Sequence, residues 1–217
     1  MKAFIQNNRI VILCHILLAI SVLPWIILVN KNVSLIQINA LNHPILDVIM
    51  YHLTRLPEIA IIIFVIILSF FHEKRMFLSA VIALAICGIT IIVCKHFIFN
   101  DFKRPFFWIS QQETVVMHYV KGIKLHSNGS FPSGHTVSAF CSLTLVAFMT
   151  HSRLLKIFMF ILAVAMGYSR VYVLQHYLMD VYAGALIGFS IAFFTTLLIH
   201  KNLLTPHWQN SFSKSKK

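Results

Sequence analysis

The chain predicts an all-α integral membrane bundle of six transmembrane helices, with a short interfacial helix between the first and second spans. Three observations carry this expectation. Of 217 residues, 59% are hydrophobic and only 11% charged, against about 25% charged in soluble domains. The apolar residues gather into runs near the roughly 20 residues that a helix needs to cross hydrocarbon. The basic residues lie in short clusters between those runs, not in a stripe interleaved with aromatics, so the net charge of +12 speaks for membrane topology and against nucleic acid. The length fits one domain, 1–217.

The first span is 10–29, between Arg9 and Lys31. It is too long for a signal-peptide core and no small-residue cleavage site follows, so it reads as a retained anchor. Residues 44–53 mix Asp47 and His52 with Ile45, Leu46, Ile49 and Met50, a pattern suited to a helix lying at the interface. Residues 59–71 are uninterruptedly apolar behind Pro57 and Glu58, a helix-start signature. At about 1.5 Å per residue this run barely spans. Spans at 76–99, 133–150, 154–174 and 178–199 follow. Cys14, Cys87, Cys94 and Cys141 lie inside apolar stretches without metal-type spacing and read as small buried hydrophobes. The Ser/Lys tail from Ser211 is expected to fray.

Six spans put both termini on one side. That side carries Lys2, Arg9, Lys74, Arg75, Arg153, Lys156, Lys201, Lys214, Lys216 and Lys217; the other carries Lys31, Arg55, Lys103, Lys121 and Lys124. The first side is therefore expected to be cytoplasmic.

Ionisable groups at span ends in so apolar a chain call for a reason. Three clusters fall at the non-cytoplasmic end: Lys95 with Arg104-Pro105, then Phe131-Pro132-Ser133-Gly134-His135, then Ser169-Arg170 with His176 and Asp180. Lys95, Arg104 and Arg170 offer a cationic cradle, and arginine can fork onto two phosphate oxygens. Ser133 suits an N-cap, with the amides of Gly134 and His135 turned to an anion. His176 and Asp180 are four apart, on one helix face. The carboxylate can hold one ring nitrogen and leave the other as a nucleophile. His135 is then available to protonate a departing alkoxide. No acidic cluster offers to hold a metal.

These residues resemble the signature of the type 2 phosphatidic acid phosphatase superfamily of membrane lipid phosphate phosphatases. Its second part, Pro-Ser-Gly-His, is complete at 132–135. Its third, Ser-Arg, five residues, His, three residues, Asp, is complete as Ser169, Arg170, His176 and Asp180. The first part departs, because eight residues rather than six separate Lys95 from Arg104-Pro105, and Phe97 occupies the usual lysine position. Lys95 is the preferred match over Lys103, provided that the helix ends near Asn100 and the chain folds back.

The resemblance covers about 45–200. It implies a phosphohistidine mechanism: His176 as nucleophile, Asp180 orienting it, and His135 as general acid. Lys95, Arg104, Ser133, Gly134 and Arg170 would bind phosphate, with no cofactor. The implied partner is a phosphorylated lipid in the bilayer, at the outer face of a bacterial cytoplasmic membrane. Undecaprenyl diphosphate, phosphatidylglycerol phosphate, phosphatidic acid and lipid A all stay open as substrates.

Bland readings serve elsewhere. His15, His43, His52, His72, His96, His118, His151, His200 and His207 read as interfacial or structural histidines. His126, near Lys121 and Lys124, fits either a headgroup contact or a solvated loop. Trp108 and Tyr119 fit an interfacial aromatic belt, and Asn128-Gly129-Ser130 reads as a turn before a helix. Phosphotransfer to a second lipid is the alternative activity. A vanadium-dependent haloperoxidase and a non-enzymatic binding protein are weaker fits, the first because those enzymes are soluble.

Overall fold

The computed structural model describes residues 2–55 and 58–201. The Pro57 helix start, His207 and the tail from Ser211 lie outside the described residues. Among those described, regular structure is helical apart from one isolated bridge between Lys103 and Asn128. In chain order the helices are α1 (Lys2–Leu28), α2 (Lys31–Asn39), α3 (Pro44–Arg55), α4 (Glu58–His72) and α5 (Lys74–Val93), the last continued by a π turn, Cys94–Ile98. Then come α6 (Pro105–Ile109), α7 (Gly134–Met149), α8 (Arg153–Tyr172) and α9 (Leu178–His200).

Every apolar run forms a helix, and two departures have physical causes. Helix α1 begins well before residue 10 because its polar first turns are packed. The Phe4 ring meets Phe148 at 5.2 Å and His200 at 5.3 Å, and Asn8 is fully buried beside Lys156. Helix α2 has no counterpart in the expected elements. The Asn30 side chain caps it by accepting from the Asn32 amide at 2.9 Å, and Leu35 is buried. Helices α2 and α3 meet at a bend of 120°.

Four helices are long and apolar enough to cross a membrane, at 3–28, 74–98, 153–172 and 178–200. The α2–α3 pair would make a fifth if taken as one broken span, and α4 and α7 are shorter apolar helices. The chain is an integral membrane protein. The reason α7 falls short is its surroundings. Every residue of it except His135 is buried in the bundle, so Thr136, Ser138, Ser142 and Thr144 face protein rather than lipid. Small residues there let neighbouring backbones approach.

Two ends of the bundle are distinct. At one, Phe4 of α1 touches His200 of α9, and His72 of α4 bonds the Met149 carbonyl of α7 at 2.7 Å. At the other lie the start of α7, the α8–α9 turn and the end of α5. Between them α7 and α9 pack almost backbone to backbone. A Cβ at Gly188 would stand 2.4 Å from the Val137 carbonyl oxygen, and one at Gly184 would stand 2.9 Å from the Ser133 oxygen. Gly184, Gly188 and the buried Ala192 repeat every fourth residue, which is the small-residue spacing of close helix pairs in membranes.

This contact yields a prediction. Gly188→Ala must push α7 from α9, since backbone cannot swing aside, and overpacking of this kind costs about 1–3 kcal/mol. Thermal unfolding in detergent should show a lowered midpoint. Gly88→Ala, with nothing within 4 Å of the added carbon, should leave it unchanged or raised. Equal effects of the two substitutions would refute the close crossing.

Candidate active site

The close crossing delivers the second cluster onto the third. The Ser133 amide donates to the Asp180 backbone carbonyl at 3.0 Å, joining the start of α7 to the first turn of α9. Ser133 is fully buried at the N-cap position, where its Oγ accepts from the Thr136 hydroxyl at 2.9 Å. Gly134 packs under the end of α5: a Cβ there would lie 3.3 Å from Ile91 Cγ2 and 3.7 Å from the Lys95 Nζ.

The α8–α9 turn holds His176. Leu174 takes φ 60°, a left-handed conformation uncommon for a non-glycine residue. The Arg170 carbonyl then accepts both the Gln175 amide at 2.9 Å and the His176 amide at 3.1 Å. Asp180, in the first turn of α9, accepts through Oδ2 from the Tyr177 amide at 3.0 Å and from the Ser130 hydroxyl at 2.5 Å. Its Oδ2 also stands 3.4 Å from His176 Nδ1, with both side chains 1% exposed. That contact is long for a hydrogen bond.

The first cluster follows the condition set by its spacing. The Phe99 amide reaches back five residues to the Cys94 carbonyl at 2.7 Å, which is the π turn. Such turns add a residue to the helical register and gather at functional sites. The helix stops there. Phe102 donates to the Phe99 carbonyl, the Ser130 amide to the Phe102 carbonyl, and the Arg104 amide to the Ser127 carbonyl at 2.8 Å. Phe99, Phe102 and Phe131 pack their rings at 4.8–5.5 Å, clamping this return against the second cluster. Lys95 thus meets Gly134, Phe97 points outward at 77% exposed, and Lys103 turns away to Asn128 Oδ1 at 2.9 Å.

Arg104 is held from three sides. It donates to Gln175 Oε1 at 2.8 Å, to the Asn128 carbonyl at 2.9 Å and to the Gly129 carbonyl at 3.4 Å. Arg170 is buried and donates to Thr54 Oγ1 of α3. Arg104, His135, Arg170 and Gln175 line one cleft of about 320 Å³ together with Arg55, Lys124 and His126. The cleft is therefore strongly cationic. Its charge also reaches the histidines. Burial pushes the His176 pKa down to about 3; Asp180 opposes this, while Arg104 and Arg170 add to it. Burial and then Arg104, Lys124 and Arg170 lower His126 as well.

All eight expected site residues converge at this end. Residues missed in the sequence are those that hold the expected ones: Thr54 on Arg170, Gln175 on Arg104, and Ser130 on Asp180. Gln175 had a usable signal, as a polar residue between Arg170 and His176. Thr54 had none, because 116 positions separate it from Arg170. The Asn128-Gly129-Ser130 turn is structural, with Gly129 at φ 66° and Ser130 buried.

The family model of the PAP2 superfamily matches residues 76–204. The chain belongs to the PAP2 superfamily. The match runs from α5 through α9 and so includes all three clusters. A probable lipid phosphate phosphatase of Arabidopsis thaliana is 38% identical over 96 residues, although the alignment spans only 31% of that relative's length. The crystal structure of LpxE from Aquifex aeolicus superposes with a TM-score of 0.63 at 27% identity, covering 74% of this chain and 91% of that one. A PAP2-type phosphatidylglycerolphosphate phosphatase from Bacillus subtilis superposes at 0.61 with 22% identity, covering 88% and 94%, a likeness of fold.

Because folding lowers the His176 pKa from 6.5 to about 3, the unfolded chain binds the extra proton between those values. The stability associated with the neutral ring is intact above pH 6.5 and is lost as pH falls through that window, at up to about 1.4 kcal/mol per unit. Unfolding midpoints at pH 7 and pH 5 should therefore fall further in the wild type than in His176→Gln. Identical slopes would contradict a buried neutral imidazole.

Proposed function

We propose that this PAP2 protein is a lipid phosphate phosphatase, hydrolysing a phosphate mono- or diphosphate ester of an envelope lipid through a phosphohistidine on His176. One observation carries the reading: the buried His176–Asp180 pair adjoins a cleft walled by Arg104, Arg170 and His135, with the Lys95 amine beside Gly134.

In the reaction, Asp180 accepts the Nδ1 proton of His176 in a hydrogen bond, so that the Nε2 lone pair attacks phosphorus. The P–N bond forms as the P–O bond to the lipid breaks, and His135 gives its proton to the leaving oxygen. Water then attacks the phosphohistidine and its proton returns to His135. Phosphate leaves and both histidines are restored. A neutral ring is the form the first step needs, and the cationic cleft favours it. Arg104, Arg170, Lys95, Ser133 and Gly134 surround the transferring group, whose charge is spread over its outer oxygens. Charge stabilisation is assigned to these groups rather than to a metal.

The topology proposed with this function has six spans: α1, α4, α5, α7, α8 and α9. Helix α7 needs little lipid-facing length because protein surrounds it, and α3 lies at the interface, with Ile45, Val48 and Ile49 exposed. The Lys/Arg bias supports both termini in the cytoplasm and the cleft outside. The substrate classes named above fit a cationic cleft at that face.

His176→Ala should abolish phosphate release from a panel of these lipids while leaving expression near wild type. Retained turnover would remove His176 from the role. Lys95→Ala should lose about 10²–10³-fold in kcat, the scale of one preorganised charge donor, whereas Lys103→Ala should lose little. The reverse order would assign the cradle lysine to Lys103. Activity should also survive chelation and be inhibited by vanadate; a strict requirement for added Mg²⁺ would overturn the metal-free assignment.

A further inference from the structure

A second basic groove lies at the opposite end of the bundle. The α1 N-terminal turns and the α7–α8 loop enclose a groove of about 600 Å³ lined by Asn7, Arg9, Ile10, Leu13, His151 and Arg153. Among the described residues, no acidic side chain lines it. The Lys/Arg bias accounts for basic residues at this end, but not for their convergence on a cavity.

The groove has a rigid back. Lys156 is 1% exposed, and its ammonium donates to the Asn7 carbonyl at 2.5 Å and to Asn8 Oδ1 at 2.6 Å. These bonds tie α8 to the first turns of α1 and bury a further positive charge close to the groove. His151 Nδ1 stands 3.4 Å from Asn7 Oδ1, a long contact between the loop and the same helix. Arg9 and Arg153 thus line one groove from two elements that these bonds tie together.

The outer wall of the groove is apolar. Leu13 lines it and is 54% exposed, and Leu17 and Ile20, both 64% exposed, continue the stripe along the outside of α1. A free anion would use the arginines and ignore this stripe. A phospholipid uses both, with the headgroup phosphate between the arginines and an acyl chain along α1. Basic pockets between helices at a membrane surface suit anionic headgroups, and arginine suits their phosphate oxygens.

We propose that this groove is a binding site for an anionic phospholipid, separate from the catalytic cleft and at the other membrane face. The occupant is a structural lipid, held by its phosphodiester and not hydrolysed.

The test titrates full-length protein in neutral detergent with phosphatidylglycerol, phosphatidylcholine and inorganic phosphate, and counts bound lipid by native mass spectrometry. Wild type should retain phosphatidylglycerol over phosphatidylcholine, and inorganic phosphate should not displace it. Each arginine removed should weaken retention about five-fold, as expected for one basic group near an anionic headgroup. Arg9→Gln with Arg153→Gln should therefore lose roughly 25-fold by the same reckoning. Both side chains are exposed, so the variants should unfold at the wild-type midpoint in lipid-free detergent, and Arg9→Lys with Arg153→Lys should recover most binding. Three outcomes would overturn the proposal: no preference for phosphatidylglycerol, equal retention by the double Gln variant, or displacement by inorganic phosphate, which would mark a free-anion site.

Discussion

The contact between α7 and α9 is the constraint on which the site depends. Gly184 and Gly188 leave no room for a side chain between the helices, and this brings the start of α7 within a backbone hydrogen bond of Asp180. Ser133, at the start of α7, therefore stands beside Asp180 because Gly184 and Gly188 of α9 carry no side chain. Widening that crossing by a methyl group would carry the second cluster away from the third. Without water in hydrocarbon, every backbone group near such a crossing must find an internal partner. The Ser133–Asp180 bond is one that serves packing and site together.

Electrostatics builds on that geometry. Asp180 and His176 are both nearly inaccessible, and burying a carboxylate is expensive unless it is paired and hydrogen-bonded. Here the Ser130 hydroxyl and the Tyr177 amide bond one oxygen of Asp180, and Arg104 lies close enough to feel its charge. Arg104 is itself fixed by Gln175 and the 128–129 turn, and Arg170 by Thr54. A cradle whose cations are already held needs little reorganisation when a phosphate arrives, which is the condition under which charge stabilisation is most effective. Burial keeps the His176 ring neutral and the same cations add to that effect, so in the proposed mechanism one arrangement favours both the nucleophile and its target.

Much of this was legible in the sequence. The apolar runs located every long helix, and the spacings Pro132–His135 and Ser169–Asp180 identified side chains that do converge. The longer interval between Lys95 and Arg104 implied a helix break near Asn100, and the chain does break there, by a π turn that periodicity does not encode. Helix α2 was invisible because its sequence is half polar and its stability comes from tertiary partners such as Leu35 in the bundle and Asn39 on the His118 backbone. Thr54 and Ser130 were invisible for the same reason, since each is defined by a partner far along the chain. Span counting by length and apolarity is uneven where α7, enclosed by protein, has no need to look like a lipid-facing helix.

The central claim is covalent chemistry at His176, and trapping tests it most directly. Purified protein mixed with a lipid substrate labelled in its phosphate, then quenched in alkali within one turnover, should carry an acid-labile, base-stable phosphoryl group. Peptide mapping should place that group on His176, with none in His176→Ala. Phosphate release at full rate with no trapped protein label, or label on His135 instead, would contradict the mechanism.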